Sequence, residues 1–190
     1  AQTEPTQAES VSADGIYTVS TPDEFIDAIG SDRTIHVSGG TLDLSTARSY
    51  GKDTGNEKCA WEEEFDGYQL VIHDVKNLTV TGDGKVATEI ATQPRYAQVL
   101  YLRSCENVAL SGFTAGHTPE AGSCVGGVVY LEGCTGVSIR DVGLYGCGVI
   151  GVYTQNCRDV TVANSDIYEC SYQGVNFQDS TGIRVANCRF

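Results

Sequence analysis

VVYLEGCTGVSIRDVGLYGCGVI (128–150) is followed directly by GVYTQNCRDVTVANSDIYECSYQ (151–173), and the two segments match position by position over 23 residues. With Cys134 taken as the anchor of its repeat, the same register extends along the chain and gives one column of anchors: Val75, Cys105, Cys134, Cys157 and Ser180. The last two steps in this column are each 23 residues long. A fixed repeat of this length predicts a solenoid, in which each repeat stacks on its neighbours and shares one core with them.

Apolar residues flank each anchor with a period of two, which is typical of β-strands. In the Cys134 repeat they are Val129 and Leu131 before the anchor and Val137 and Ile139 after it. Asn, Asp or Gly stands two and seven places after the anchors, and these residues tolerate the positive φ of a tight corner. The pattern predicts an all-β fold, a single-stranded right-handed parallel β-helix with three strands per coil and a repeat of about 23 residues.

The N-terminal part of the chain divides into two predicted regions. Residues 1–13 are polar, lack aromatic side chains and are predicted to form a disordered tether, and residues 14–190 are predicted to form the β-helix domain. Thr21–Glu24 reads Thr-Pro-Asp-Glu, the signature of a helix start, and Gly30 ends the short helix. We expect this helix to cover the N-terminal end of the solenoid.

The C-terminal residue Phe190 falls partway through a coil. An uncovered solenoid end is a template for pairing with other strands. We therefore expect the domain to be truncated or continued there, or its end to be covered through end-to-end self-association.

Composition excludes two classes of partner and bears on the cysteines. The net charge of −13 makes nucleic acid an unfavourable partner, and no apolar run long enough for a transmembrane segment occurs. Most of the eight cysteines fall in inward columns, where we expect free thiols packed as small apolar side chains. Cys59 and Cys124 lie outside the columns and are the pair to test for a disulfide.

The capping helix, three strands per coil, Asn and Gly corners and inward stacks together resemble the pectin-lyase-like superfamily. More narrowly, GHTPEAGSCVGG (116–127), LYGCGVIG (144–151) and IYECSYQG (167–174) resemble segments of uncharacterised right-handed β-helix proteins of anaerobic bacteria. This resemblance implies an extracellular or cell-surface bacterial protein, with no established activity. The catalytic signatures of the superfamily's enzymes are missing: Gly116-His117 continues with Thr118, and His73-Asp74 has the reverse order of the lyase motif.

Two columns are predicted to point outward from the first strand of each coil. The column four places before the anchor contains Val71, Tyr101, Tyr130, Tyr153 and Asn176, and the column two places before it contains His73, Arg103, Glu132, Gln155 and Gln178. Three tyrosines on successive rungs could stack against sugar rings, with Arg103 and Glu132 as polar contacts. Outward stacks also stabilise a β-helix without any ligand, and the sequence leaves both interpretations open.

Further residues extend this predicted surface. The two coils before Cys134 are longer than the later ones, and their surplus residues, 85–98 and 116–127, are predicted to form one wall beside the tyrosines. Tyr145 and Tyr168 form a second outward pair that could extend the binding surface around the corner.

Catalysis would need charged groups near this surface. A glycosidase requires two carboxyl groups about 5 Å or about 6.5–9.5 Å apart, and Glu132 and Glu120 are the nearest candidates. A lyase requires a base, for which Arg103 is the candidate. His117 is a further catalytic candidate and is expected in an exposed loop. We expect no cofactor, and the acidic residues of the excursion favour a solvated surface. The alternative is a calcium site, for which the candidate oxygen ligands are Glu62, Glu63, Glu64 and Asp66.

Three functions remain open at this stage. The leading hypothesis is an extracellular β-helix domain that binds a polysaccharide, either an acidic glycan or one from a plant or other cell wall. The alternatives are a polysaccharide lyase or glycoside hydrolase, and a structural or adhesive spacer without a ligand.

Overall fold

The repeats stack into a parallel β-helix. The computed structural model describes residues 15–118, 125–146 and 149–190, so the predicted tether at 1–13 lies outside the described residues. In chain order the elements are β1 (Ile16–Val19), α1 (Pro22–Ala28), β2 (Arg33–Val37), β3 (Gly40–Asp43), a 3₁₀ turn (Leu44–Thr46), β4 (Cys59–Glu64), β5 (Gly67–His73), β6 (Leu78–Gly82), β7 (Thr88–Thr92), β8 (Leu100–Arg103), β9 (Ala109–Ser111), β10 (Thr114–His117), β11 (Val129–Glu132), β12 (Ser138–Arg140), β13 (Gly143–Tyr145), β14 (Ile150–Gln155), β15 (Thr161–Ala163), β16 (Asp166–Tyr168), β17 (Gln173–Gln178) and β18 (Arg184–Ala186).

These strands form three sheets that run along the helix axis. The seven-stranded sheet has the order β1-β2-β6-β9-β12-β15-β18, the five-stranded sheet β16-β13-β10-β7-β3, and the six-stranded sheet β17-β14-β11-β8-β5-β4. All pairings are parallel except that of β4 with β5. This topology confirms the predicted all-β parallel helix. Within the described residues, no helix is long and apolar enough to span a membrane.

The predicted columns correspond to the register between coils. Tyr130 on β11 pairs with Tyr101 on β8 and with Tyr153 on β14, and Glu132 pairs in the same way with Arg103 and Gln155. The anchor cysteines lie inside, where Cys105 and Cys134 are fully buried. Because adjacent rungs are in register, equivalent positions of successive coils lie side by side along the helix.

Residues with a left-handed backbone conformation, at positive φ, form the corners. The predicted corner two places after the anchor has positive φ throughout, at Asn77, Asn107, Gly136, Asp159 and Gly182. A second left-handed column, one place before the anchor, was not predicted: Asp74, Ser104, Gly133, Asn156 and Asp179. Asn and Asp accept this conformation more readily than other residues that carry a Cβ, which explains their recurrence.

The described cysteines are free thiols, as predicted for the inward columns. The backbone N–H of Cys105 donates to Sγ of Cys134, and that of Cys134 donates to Sγ of Cys157, each over 3.4 Å. Cys59 is also a buried free thiol, and burial raises its pKa to about 11. Its predicted partner Cys124 lies outside the described residues.

Helix α1 covers the N-terminal end of the solenoid, as predicted. Thr21 and Glu24 form a reciprocal capping box, and Pro22 is the first helical residue. Phe25 and Ile26 are buried against the first coil. The Nδ2 group of Asn56 donates to the carbonyls of Ile26 and Ile29, over 2.7 and 2.9 Å, and so satisfies the end of the helix.

The excursion before the regular repeats folds into a hairpin. Strand β4 runs antiparallel to β5 and is the edge strand of the six-stranded sheet, so it covers the free edge of β5. Trp61 on β4 packs edge-on against Tyr50, with ring centroids 5.0 Å apart, and its Nε1 donates to Ser49. The hairpin therefore closes the first rung and places acidic side chains beside the outer face.

The last coil is more exposed than the coils before it. Val185 is 39 % exposed, whereas Val162, its counterpart one coil earlier, is fully buried. Self-association through this surface stays a prediction.

The helical cap generates a test of stability. We expect Phe25→Ala to lower the free energy of unfolding by about 3–5 kcal/mol, because it leaves a cavity under the helix. The matched control is Phe65→Ala, whose side chain is 85 % exposed, with an expected change of about 0.5 kcal/mol or less. Urea unfolding measures both variants, and equal losses would contradict a packed cap.

Candidate functional site

Three tyrosines on the outer face of the six-stranded sheet stack on one another. The ring centroids of Tyr130 and Tyr153 lie 4.9 Å apart with planes 8° from parallel, and those of Tyr101 and Tyr130 lie 4.5 Å apart at 35°. The Arg103 guanidinium lies 4.7 Å from the centroid of the Tyr101 ring, and Tyr101 is only 5 % exposed. The sequence predicts Tyr101, Tyr130 and Tyr153 as platforms for sugar rings. That mode of contact is wrong for Tyr101 and Tyr130, because neighbouring groups cover their ring faces.

The tyrosine hydroxyls join the rungs into a hydrogen-bonded ladder. Tyr130 donates to Oε1 of Gln155 over 2.7 Å, and Tyr153 donates to Oε1 of Gln178 over 2.6 Å. Tyr101 donates in the same way to the carboxylate of Glu132. Each tyrosine thus bonds to the polar side chain of the next coil. We call this set of residues the tyrosine strip: Tyr101, Tyr130, Tyr153, Arg103, Glu132, Gln155 and Gln178.

Arg103 joins two carboxylates at the N-terminal end of the tyrosine strip. Its Nη1 and Nη2 bind the two oxygens of Glu62 over 2.7 and 3.1 Å, and its Nε binds Glu132 over 3.0 Å. The hydroxyl of Tyr101 also accepts from Arg103. Planar bidentate pairing of this kind is a specific property of arginine. Glu62 reaches this position only because the hairpin places β4 beside β5.

The ion pairs determine the protonation of these groups. Pairing with Glu62, Tyr101 and Glu132 raises the pKa of Arg103 well above its ordinary value. The hydrogen bonds from Tyr101 and Arg103 lower the pKa of Glu132. Arg103 therefore stays protonated, and its predicted role as a lyase base is not supported. Glu132 stays ionised near neutral pH and is not suited to donate a proton as a general acid.

The two remaining catalytic candidates do not join this cluster. His117 ends strand β10 and is 3 % exposed, so its predicted place in an exposed loop is wrong. Its Nε2 donates to the carbonyl of Ala97 over 2.9 Å, and burial lowers its pKa. Its Nδ1 has no hydrogen-bond partner in the part of the chain that the structure describes. Glu120 lies outside the described residues.

The acidic residues of the hairpin are engaged separately. Glu62 binds Arg103, whereas the carboxylate of Asp66 accepts the backbone N–H groups of Arg95 and Tyr96. Burial, with the charges of Glu62 and Asp66, raises the pKa of Glu64, and Glu63 is exposed. Across the described ranges, no three His, Cys, Asp or Glu side chains are grouped as a metal site. Calcium binding stays an untested prediction.

The second tyrosine pair lies on a different sheet. Tyr145 and Tyr168 stack on the outer face of the five-stranded sheet, with ring centroids 5.9 Å apart. Tyr145 donates to Oε1 of Glu89, and burial together with this bond raises the pKa of the Tyr145 hydroxyl. These residues line an open groove of about 570 Å³, which we call the Glu89 groove. Sequence reasoning missed Glu89, because it is 56 residues away from Tyr145 in the chain.

Comparison with known proteins agrees with this architecture. Residues 96–190 match the family model for the right handed beta helix region, which is half of the chain. The chain therefore belongs to the right-handed β-helix family. No match was found among curated proteins.

A solved structure shares the fold. It is the crystal structure of a "putative glycosyl hydrolase" from Parabacteroides merdae ATCC 43184, with 13 % sequence identity and a TM-score of 0.57. The alignment covers 92 % of this chain and 78 % of that chain. The predicted pectin-lyase-like architecture is thus confirmed at the level of the fold.

The ion cluster generates a pH-dependent prediction. A lowered pKa in the folded state contributes stability above the ordinary pKa of Glu132, 4.5, and this contribution is lost as the pH falls through the folded-state value. We expect Arg103→Lys to lower the free energy of unfolding by about 1 kcal/mol near neutral pH, because lysine cannot replace the bidentate contact. As the pH falls to about 3 we expect the difference to shrink, because the Glu132 carboxyl group begins to be protonated.

Urea unfolding of both proteins at the two pH values measures this difference. The matched control is Arg184→Lys on β18, a side chain without an ion-pair partner among the residues described. An equal loss for Arg103→Lys at both pH values would show that the carboxylates do not contribute.

Proposed function

We propose that this protein is an extracellular bacterial β-helix domain that binds a polysaccharide along the tyrosine strip. One observation carries the proposal. Gln155 and Gln178 each use Oε1 to accept a tyrosine hydroxyl, which leaves their Nε2 groups without a partner within the described residues. Amide donors held in one orientation, on adjacent rungs and at the surface, suit the hydroxyl groups of a sugar chain.

The periodicity of the tyrosine strip favours a polymer over a single sugar. Equivalent groups recur at intervals of about 4.8 Å along the helix axis, as in any parallel sheet. A glycan chain repeats its hydroxyl groups in the same regular way. Once one sugar is bound, the next sugar of the chain is held at a high effective concentration beside the next rung. Weak contacts on successive rungs can therefore combine into a higher overall affinity.

The charges of the tyrosine strip bear on the kind of glycan. Arg103 is its one described cation, and it binds both Glu132 of the strip and Glu62 on the adjoining hairpin. With Glu62 included, these three side chains carry a net negative charge. The whole chain carries a net charge of −13. An acidic glycan would be repelled by this surface. We therefore propose a neutral cell-wall glycan in place of the acidic one that the sequence left open.

Substitution of the two glutamines tests the assignment. We expect the double variant Gln155→Ala, Gln178→Ala to lose about tenfold or more in affinity for a neutral polysaccharide, because two hydrogen-bond donors are removed. Affinity gel electrophoresis against a panel of neutral and acidic polysaccharides measures the change. The control is Thr161→Ala, a partly exposed side chain on the seven-stranded sheet.

Three outcomes would contradict the proposal. Unchanged affinity in the double variant would exclude the tyrosine strip as the binding surface. Preference for acidic polysaccharides would overturn the choice of a neutral glycan. Failure of the wild-type protein to bind any polysaccharide would favour the structural or adhesive spacer.

Hydrolysis of the bound glycan is the second candidate function, and it rests on Glu64. Burial and the charges of Glu62 and Asp66 raise the pKa of Glu64, and a raised carboxyl pKa is a feature of general acids. Glu62, on the same strand, binds Arg103. The test is release of reducing sugar from the polysaccharides that bind. We expect release to be abolished by Glu64→Gln and retained in Glu63→Gln, and no release by the wild type would exclude the hydrolase.

A further inference from the structure

We propose that the Glu89 groove is a second binding site, separate from the tyrosine strip, and that it binds a sugar carrying a protonated amine. It lies on the outer face of the five-stranded sheet and takes a ligand of different charge from the neutral glycan proposed above. Its volume, about 570 Å³, is in the range of pockets that hold small ligands.

Small residues in the sheet make room for Tyr145, which lines the Glu89 groove. Gly116 on β10 allows the ring of Tyr145 to lie over it, since a Cβ added there would be 2.6 Å from Cζ of that ring. Ala91 on β7 continues this column of small side chains by pairing with Gly116. The Tyr145 side chain therefore crosses from β13 to the carboxylate of Glu89 on β7.

Two hydroxyl groups hold the Glu89 carboxylate in place. Tyr145 donates to Oε1, and Thr41 on β3 donates to Oε2 over 2.7 Å. Both donors are neutral, so they orient the carboxylate without compensating its charge. Each oxygen keeps a further lone pair that can accept a hydrogen bond from a ligand.

A second carboxylate lines the same groove without a counterion. Glu169 follows Tyr168 at the end of β16 and has no ion-pair partner within the described residues. The lysine of the lining, Lys85, donates to Asp166 over 2.7 Å, and Asp166 also accepts from Arg189 over 2.6 Å. Lys85 is thus already paired, whereas neither Glu89 nor Glu169 has an ion-pair partner in residues 15–118, 125–146 or 149–190.

The aromatic lining matches the body of a sugar. Tyr168 stacks on Tyr145 and is 43 % exposed, so part of its ring is available for the C–H face of a sugar or for a cation. A protonated amine donates three hydrogen bonds and supplies the missing positive charge. A hexosamine with a free amine combines both features. A uronic acid would place its carboxylate beside Glu89 and Glu169 and would be repelled.

Calorimetric titration of the full chain with a tetramer of glucosamine tests this inference. We expect binding that weakens as salt is added, because the contact is between opposite charges. The tetramer of N-acetylglucosamine, which lacks the positive charge, should bind at least about tenfold more weakly. Glu89→Gln preserves the shape of the side chain and should lower the affinity for the glucosamine tetramer by about tenfold or more.

Matched variants separate binding from folding. Glu106→Gln changes a carboxylate that pairs with Lys76 on another surface, and it should leave the affinity unchanged. Tyr168→Ala should weaken binding, whereas Tyr172→Ala, at a more exposed ring, should not. Thermal unfolding of each variant shows whether the fold is retained.

Several results would overturn the inference. These are no binding of the glucosamine tetramer, equal binding of the acetylated tetramer, and unchanged affinity in Glu89→Gln. Loss of this affinity in the Gln155→Ala, Gln178→Ala variant would assign the ligand to the tyrosine strip and also overturn it. Because the two surfaces are tested with different variants and ligands, failure at one does not imply failure at the other.

Discussion

The rest of this structure depends on the in-register stacking of its coils. Each side chain lies about 4.8 Å from its counterpart on the next coil. Equivalent positions therefore have similar surroundings in successive coils, which favours similar residue types there. Inside, this places Cys105, Cys134 and Cys157 in one buried column, where backbone N–H groups donate to the sulfur of the next rung. At the corners it selects Asn, Asp and Gly, because the chain turns in the left-handed region there.

The same constraint determines what the outer surface offers to a ligand. Rings one rung apart are close enough to stack, and Tyr130 and Tyr153 do so with nearly parallel planes. Stacking stabilises the coils and covers the ring faces, so hydrogen-bonding edges remain for recognition. The predicted platform thus becomes a ladder in which each hydroxyl is bound by the following coil, and the amide donors of Gln155 and Gln178 have no partner among the described residues.

Departures from the regular repeat create the charged parts of both surfaces. On the six-stranded sheet, the hairpin brings Glu62 to Arg103, which already binds Glu132. On the five-stranded sheet, Gly116 leaves space for Tyr145 to reach Glu89. One surface therefore has its cation neutralised by carboxylates, whereas the carboxylates of Glu89 and Glu169 on the other have no ion-pair partner among the described residues, since Lys85 binds Asp166. This difference is the physical basis for proposing two ligand classes on one scaffold.

Local pattern was enough to derive the parallel β-helix, the inward and outward columns, the capping helix and the free thiols of the core. Each of these depends on period, corner chemistry or capping, which short segments of sequence encode. The same register predicted which residues form the tyrosine strip. It did not predict that the tyrosine rings cover one another and bind the next coil through their hydroxyl groups. The antiparallel β4, the buried position of His117 and the bond between Tyr145 and Glu89 required the tertiary structure. They depend on the path of an irregular segment and on the orientation of side chains that reach across several coils. Packing between residues that are distant in the chain determines both.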